Sequence, residues 1–163
     1  MMIAIVDSVI TEAQAFYCIE RFNQKNIPKR EYFGKLLIDN NDHLGEDQRF
    51  IDILSTINRN ALKFNPTVCI DWSHLNYWPT FSRQDLHYDT KSDETVYTSI
   101  TYLNCSYRGG ETFFEDGTTV SPVTGRTVFY DGKKYHHGVR PVSHGNRVTL
   151  SIWYKTKDMI NDI

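Results

Sequence analysis

The N-terminal part of the chain carries two stretches in which apolar side chains recur at helical spacing. Thr11 and Gln14 have the spacing of a capping box, which predicts the start of a first helix. The apolar stripe behind this box consists of Ala15, Ile19 and Phe22. A second helix is predicted from about Asp47 to Lys63, because its apolar positions keep helical spacing and Pro66 blocks its continuation. These positions are Phe50, Ile53, Leu54, Ile57 and Ala61.

Outside these helices, short apolar runs of the kind that form strands follow one another. Two of them precede or separate the helices, at Ile3–Val6 and Tyr32–Ile38. From Val68 onward, short β-like segments alternate with turn residues such as Asp131 and Gly132. The predicted strands are about Val68–Trp78, Asp85–Tyr88, Val96–Asn104, Glu111–Phe114, Thr118–Ser121, Arg126–Tyr130, Tyr135–Val142 and Arg147–Tyr154. Many short strands without intervening helices predict a sandwich or a jelly roll, with the two helices covering one sheet from outside.

The length and composition indicate one globular domain. With 163 residues and 40% hydrophobic side chains, the chain is long enough for one substantial core and too short for two. We therefore predict a single domain over residues 1–163. Residues 1–66 would form the first strand and the supporting helices, and residues 67–156 the β-rich core. The net charge of −2 argues against a protein that coats nucleic acid.

The cysteines and the N-terminus bear on the compartment. Three cysteines are an odd number without a pairing pattern, which favours a reduced, intracellular protein, and we expect it in the cytoplasm. The chain begins without basic residues and reaches Asp7 early, so we expect no signal peptide. We also expect no membrane span, because no apolar run approaches about 18 residues.

His87, Asp89 and His137 are the candidate metal ligands. Two imidazoles and one carboxylate can occupy one face of an Fe(II) octahedron and leave three positions open. The two-residue spacing of His87 and Asp89 places both on one face of a predicted strand. Zinc also accepts histidine and aspartate ligands, although it has no redox chemistry. His136 and His137 point to opposite faces of a strand, so only one of them can reach a metal.

Arg147 begins a predicted strand whose side chains alternate between two faces. Arg147, Thr149, Ser151 and Trp153 share one face, and the apolar Val148, Leu150 and Ile152 share the other. Burying an unpaired guanidinium is costly, so an arginine inside a barrel implies an anionic partner. This partner is either a bound carboxylate or an acidic side chain of the protein.

The residues from about Tyr77 to Trp153 contain five motifs whose order and gaps match one family. They are His87-x-Asp89, Thr98 to Asn104, Gly109 to Phe114, Gly125 to Tyr130, and His137 to Val142 followed by Arg147. In these motifs the chain resembles the 2-oxoglutarate/Fe(II) dioxygenase superfamily, and within it the prolyl 4-hydroxylase-like branch. The resemblance implies a mainly β fold: a double-stranded β-helix (jelly roll) with N-terminal supporting helices.

The resemblance also implies a role for several residues. Fe(II) would bind His87, Asp89 and His137, since the motif and the ten-residue gap to Arg147 choose His137 over His136. Arg147 and Tyr102 would hold the distal carboxylate of 2-oxoglutarate. Tyr77, ten residues before His87, would contact this cosubstrate near the metal, or it is an ordinary core residue. O₂ is the second cosubstrate, and ascorbate is often needed to restore Fe(II) in this family.

The expected activity is hydroxylation of a prolyl or similar residue in a peptide or protein. Possible substrate contacts are Arg83, Tyr88, Arg140 and Trp153. Trp153 stands where a nucleic-acid demethylase of this superfamily is expected to carry a second arginine, so nucleic acid is a less favoured substrate. Hydroxylation of a free amino acid or other small molecule stays open, as does a non-catalytic metal-binding jelly roll. Proline specificity is itself open, because Thr95 lies where the family commonly has a substrate-contacting arginine.

Overall fold

A computed structural model describes residues 3–89 and 92–158. The helices of these residues are α1 (Glu12–Phe22), α2 (Asn40–His43) and α3 (Gln48–Phe64). The strands before the metal-ligand motif are β1 (Ala4–Val6), β2 (Arg30–Tyr32), β3 (Lys35–Asp39) and β4 (Val68–Trp78). The later strands are β5 (Gln84–His87), β6 (Thr95–Tyr102), β7 (Arg108–Gly109), β8 (Thr112–Phe114), β9 (Thr119–Val120), β10 (Thr127–Tyr130), β11 (His137–Val139), β12 (Val142–Ser143) and β13 (Arg147–Thr156).

The strands form two main antiparallel sheets. The large sheet has seven strands in the order β1-β10-β6-β13-β4-β3-β2, and the small sheet has four in the order β5-β11-β8-β9. Strands β12 and β7 make a separate two-stranded ribbon. The predicted mainly β, jelly-roll class is confirmed. A cavity lies between the two sheets and is lined by residues of both.

The two long helices cover the other face of the large sheet. Thr11 and Gln14 form the predicted capping box, with bonds of 3.1 Å and 2.9 Å. Asp47 caps α3 by accepting a hydrogen bond from the backbone of Phe50 at 3.0 Å. The apolar stripes of both helices pack into one core with sheet residues that include Leu75. The predicted helices and their placement are therefore confirmed.

Strand β13 separates this helix-covered core from the cavity, as its alternating pattern predicted. Val148, Leu150 and Ile152 belong to the core beneath the helices. Arg147, Ser151 and Trp153 line the cavity on the opposite face. Strand β13 pairs with β4 on one side and β6 on the other, so its inward side chains lie at the centre of the cavity floor.

The prediction of one strand over Tyr32–Ile38 is wrong, because the chain turns back within it. Tyr32 pairs with Lys35, and the two residues between them form the tip of the β2–β3 hairpin. Phe33 and Gly34 have φ of 50° and 81°. Positive φ at both central positions is the geometry of a tight hairpin turn that follows the twist of its strands. The apolar Phe33 concealed this turn in the sequence pattern.

The predicted strand over Tyr135–Val142 is also divided. Its first residues lie in a turn, where the backbone N–H of Tyr135 donates to Asp131 O at 2.9 Å. Strand β11 then ends before Pro141, which has no N–H to contribute to a ladder. Strand β5 ends at His87, so Asp89 follows the strand instead of lying on it. The short elements α2 and β7 were not predicted.

None of the helices in the described part of the chain is both long and apolar enough to cross a membrane.

Candidate metal centre and its cavity

The structure brings the three predicted metal ligands together. His87 at the end of β5 and His137 at the start of β11 are cross-strand partners, and their ring centroids lie 4.4 Å apart. Asp89 follows two residues later, and ligand atoms of all three side chains lie within 4.8 Å of one another. His136 lies outside this cluster: its ring stacks on Tyr88 at 4.5 Å. The choice of His137 over His136 agrees with this geometry.

Backbone carbonyls fix the orientation of both imidazoles. Nδ1 of His87 lies 2.8 Å from Asp85 O, and Nδ1 of His137 lies 2.8 Å from Tyr135 O. Donation of the Nδ1 proton to a carbonyl leaves Nε2 with a lone pair for a metal. Nε2 of His137 lies 3.3 Å from Oδ1 of Asp89, the carboxylate of this cluster.

The protonation states also suit a metal ion. Burial lowers the pKa of His87, and the neighbouring His137 lowers it further, so the imidazole is neutral near neutral pH. Burial alone would raise the pKa of Asp89. The hydrogen bond and charge of His137 and the hydrogen bond from Thr98 outweigh it, and the net pKa of Asp89 is lowered. A neutral imidazole and an ionised carboxylate are the forms that bind metals.

Two further residues complete the surroundings of the ligands, and the sequence reasoning missed both. Thr98 Oγ1 donates a 2.6 Å hydrogen bond to Asp89 Oδ2. Tyr130 packs edge-on against His137, with 4.7 Å between the ring centroids. Burial raises the pKa of Tyr130 well above its ordinary value, which keeps its hydroxyl neutral. Thr98 could have been predicted as a site residue, because side chains alternate along a strand and Thr98 therefore shares a face with Tyr102.

A cavity of about 650 Å³ extends from the metal ligands to Arg147. Arg147 is only 1% exposed. Its Nε donates to Gly110 O at 2.9 Å and its Nη2 to Thr112 Oγ1 at 3.2 Å. Within residues 3–89 and 92–158, no carboxylate forms an ion pair with this guanidinium. The alternative of a structural salt bridge therefore finds no partner in the described chain.

Trp78 lies beside Arg147 and was not predicted as a site residue. The Arg147 Cζ atom lies 5.0 Å from the centroid of the Trp78 ring. Trp78 lines the cavity, and its Nε1 is buried without a hydrogen-bond partner in the described part of the chain. An unpaired buried N–H next to an unneutralised guanidinium fits a carboxylate-bearing ligand at this end of the cavity.

The predicted cosubstrate contact of Tyr77 is contradicted by its position. Tyr77 lies on the helix-covered face of β4, where its ring stacks on Phe22 at 5.7 Å and packs against the main core. Adjacent residues of a strand point to opposite faces, so Trp78 faces the cavity and Tyr77 does not. The core alternative for Tyr77 is the one that the structure supports.

Tyr102 is fully buried behind Thr112. Its hydroxyl accepts a hydrogen bond from Thr112 N at 3.0 Å and lies 2.7 Å from Thr112 Oγ1. Thr112 in turn contacts Arg147 and lines the cavity. Tyr102 is therefore linked to the arginine end of the cavity through Thr112, and direct contact with a carboxylate stays a prediction.

Three of the four predicted substrate contacts line the outer part of the cavity. They are Arg83, Tyr88 and Trp153. Trp153 stacks on Trp72 with ring centroids 3.8 Å apart, and its cross-strand neighbour is Thr98, the residue that bonds Asp89. Arg140 is exposed and lies over Phe113, outside the cavity lining, so its contact with a substrate stays a prediction.

A polar pair formed by the buried His74 and the partly exposed Asp39 was also not predicted. His74 on β4 lines the cavity next to Trp153, and its Nε2 lies 2.8 Å from Asp39 Oδ1. Asp39 also forms a two-pronged ion pair with Arg30 at 2.8 Å and 3.1 Å. These contacts connect β4 to the edge strands of the large sheet. No motif joins these residues in the sequence, since they meet only through the pairing of β3 with β4.

Comparisons with known proteins identify the family to which this chain is similar. The family model of the 2OG-Fe(II) oxygenase superfamily matches residues 73–155. Prolyl 3-hydroxylase 1 of Gallus gallus is 37% identical over 65 residues, which are 36% of this chain and 9% of the relative. The chain thus spans about a tenth of the length of the curated relatives that it matches.

Two solved structures share the fold over almost the whole chain. One is the viral collagen prolyl hydroxylase of Paramecium bursaria Chlorella virus-1 in its 2OG complex, with a TM-score of 0.79, 16% identity and 97% coverage of both chains. The other is a prolyl hydroxylase of Trichoplax adhaerens in complex with a hypoxia-inducible-factor peptide, with a TM-score of 0.75 and 15% identity, covering 94% of this chain and 83% of that one. With more than half of its residues matched by the family model, and with a prolyl-hydroxylase-like fold, this chain belongs to the 2-oxoglutarate/Fe(II) oxygenase superfamily.

Proposed function

We propose that this protein is an Fe(II)- and 2-oxoglutarate-dependent hydroxylase that acts on a prolyl or similar residue of a peptide or protein. The observation that carries the proposal is the cavity that joins His87, Asp89 and His137 to a buried arginine. Two imidazoles and one carboxylate fit Fe(II) with open positions. Arg147 lacks a carboxylate partner among the described residues, which fits a dicarboxylic cosubstrate.

The arginine end of the cavity binds the cosubstrate, and the histidine end holds the metal. Arg147 binds the distal carboxylate of 2-oxoglutarate, and the indole N–H of Trp78 supplies a further donor beside it. The protein thereby orients the cosubstrate toward the histidines and excludes water at the buried end. The metal and cosubstrates supply the oxidation itself, in which 2-oxoglutarate and O₂ give succinate, CO₂ and a hydroxylated product.

The outer cavity supports a peptide as the substrate. Its walls carry stacked indoles, Trp72 and Trp153, together with the exposed Tyr88 and Arg83. Aromatic surfaces of this kind suit an extended, proline-containing chain. A viral collagen prolyl hydroxylase and a peptide-bound prolyl hydroxylase share the fold, which adds weight to a peptide over a free amino acid or a nucleobase.

Mass spectrometry of candidate substrates tests this function. Proline-rich peptides are incubated with the protein, Fe(II), 2-oxoglutarate and ascorbate, and succinate is measured in parallel. We expect the mass of one added oxygen on a prolyl residue, and no product with Asp89→Ala. Oxidation confined to methylated nucleobases or free amino acids would replace the peptide proposal. Absence of succinate under all conditions would indicate a non-catalytic metal-binding module.

A further inference from the structure

We propose that Thr98 and Gly132 act as positioning residues that hold Asp89 so that only its Oδ1 faces the metal. This inference rests on the proposed function, since it concerns the same metal centre. The two residues come from different parts of the chain: Thr98 lies on β6, and Gly132 lies in the turn after β10. Both meet the side chain of Asp89, which itself lies beyond the end of β5.

Thr98 fixes one carboxylate oxygen. Its Oγ1 lies 2.6 Å from Asp89 Oδ2, and the ionised carboxylate can only accept, so the hydroxyl is the donor. Thr98 is 1% exposed and belongs to an interior strand of the large sheet, between β10 and β13. A short, charge-assisted bond from a buried strand restrains the carboxylate far more than a mobile surface donor would.

Gly132 holds the backbone of Asp89 and lies against the same carboxylate oxygen that Thr98 binds. Its carbonyl accepts a 2.8 Å hydrogen bond from Asp89 N, which anchors the backbone. A Cβ atom at position 132 would overlap Asp89 Oδ2 and lie 2.7 Å from Thr98 Oγ1. Gly132 is not among the residues of positive φ, so its backbone alone does not require glycine. The missing side chain serves to make room for the carboxylate.

The consequence concerns how the carboxylate can bind. Oδ2 is engaged by Thr98, whereas Oδ1 lies 3.3 Å from His137 Nε2 on the metal side. Asp89 is therefore held for binding through one oxygen. A carboxylate free to rotate could bind through both oxygens and occupy one of the three positions that the cosubstrates need.

Cobalt titration of matched variants tests this arrangement, because Co²⁺ reports both affinity and coordination in its visible spectrum. Thr98→Val removes the hydroxyl, and Thr98→Ser restores it. Thr101→Val is the control: Thr101 lies on the same strand, is equally buried, and bonds Thr127 Oγ1 at 2.8 Å instead of a ligand. We expect Thr98→Val to raise the Co²⁺ Kd by roughly 10- to 100-fold, the usual effect of losing a hydrogen bond to a ligand.

The other variants complete the test. Thr98→Ser should recover most of the affinity, Thr101→Val should bind Co²⁺ like the unmodified protein, and Gly132→Ala should lose at least as much affinity as Thr98→Val. Thermal unfolding of the metal-free variants checks that each is folded. Unchanged affinity and spectrum in Thr98→Val, or equal losses in Thr98→Val and Thr101→Val, would overturn the positioning role alone. Failure of the unmodified protein to bind any divalent metal would overturn the proposed function as well.

Discussion

At two places in this structure, the side chains of two neighbouring residues point in opposite directions, and only one of the two belongs to the candidate site. His136 and His137 are identical in type, yet only His137 points to Asp89, while His136 stacks on Tyr88. The sequence predicted His137 because the motif that begins at this residue is followed, ten residues later, by Arg147. At β4 no such motif existed, and the ten-residue spacing to His87 pointed to Tyr77, whereas Trp78 lines the cavity. The direction of a side chain on β4 depends on the pairing with β13, which the sequence pattern does not contain.

The histidine pair provides a matched test of the metal centre. His137→Ala should abolish Fe(II) binding and succinate formation, because it removes one of three ligands. His136→Ala should retain measurable turnover, since its ring lies outside the ligand cluster. Metal content after dialysis and succinate release are the measurements. Turnover by His137→Ala would contradict the ligand assignment. The purified protein is expected to carry Ni²⁺ or Zn²⁺ where these metals are more available than iron.

Arg147→Ala should weaken 2-oxoglutarate binding by roughly 2–4 kcal/mol, the range for removing one partner of a buried charged pair. Metal affinity should change little, because the guanidinium donates to Gly110 and Thr112 and not to any of the candidate metal ligands. Anaerobic calorimetry with the metal-loaded protein measures both affinities. Arg140→Ala is the control, since that arginine is exposed outside the cavity. Equal 2-oxoglutarate affinity in the two variants would make Arg147 a structural residue.

At the scale of elements, periodicity predicted the long helices and the long strands better than the short pieces. Helix α3 needed only its apolar spacing and its cap, both of which are local in sequence. The β2–β3 hairpin depends on positive φ at Phe33 and Gly34, and one of these residues is apolar. The division between β11 and β12 depends on Pro141 and on a turn closed by Asp131. Turns of this kind depend on backbone conformation, so the pattern of hydrophobic and polar residues predicts them poorly.

Asp47 links the two supporting helices and makes a prediction about stability. Its carboxylate caps α3, accepts from the hydroxyl of Tyr17 at 2.7 Å, and contacts Arg21 Nε at 3.0 Å. Asp47→Ala should lower the free energy of unfolding by about 1–2 kcal/mol near neutral pH, the usual range for a lost cap. Urea unfolding measures this change. Asp52→Ala, an exposed residue of the same helix, should change it much less.

The same variant should show a defined pH dependence. Burial alone would raise the pKa of Asp47, but the hydrogen bonds from Tyr17 and Phe50 and the charge of Arg21 leave it lowered. A carboxyl with a lower pKa in the folded state adds stability above its unfolded pKa of about 3.9, and this stability is lost as the pH falls through the folded value. The difference between Asp47→Ala and the unmodified protein should therefore shrink in acid. A constant difference down to about pH 2 would contradict this account.

At the scale of the whole molecule, the metal centre connects the two sheets. His87 and His137 belong to the small sheet, whereas Asp89 is tied to Thr98 on the large sheet. Sequence motifs predicted all three candidate ligands, because ligand chemistry restricts the residue type at each position. They could not show that the sheets meet there, since that contact depends on packing between segments far apart in sequence.

Metal and cosubstrate should therefore stabilise the folded protein. A ligand that binds only the folded state adds about 2.7 kcal/mol at a concentration of 100 times its Kd. We expect Tm to rise when Fe(II) or Mn²⁺ is added under anaerobic conditions, and to rise again when 2-oxoglutarate is added. A chelator should return Tm to the value of the metal-free protein. Differential scanning fluorimetry measures the shifts. Asp89→Ala should lose the metal response and Arg147→Ala only the second step. A metal response that persists in Asp89→Ala would place the binding elsewhere.

The two faces of β13 have a consequence for how this protein can change over evolutionary time. Val148, Leu150 and Ile152 meet the helices, while Arg147, Ser151 and Trp153 meet the cavity. Because the two sets contact different neighbouring side chains, substitutions in one set should couple with substitutions in the other only through the shared backbone of β13. A new substrate preference could then arise at positions 151 and 153 without compensating changes beneath the helices. A deep mutational scan would show abundance falling at the even-numbered positions and turnover falling at the odd-numbered ones.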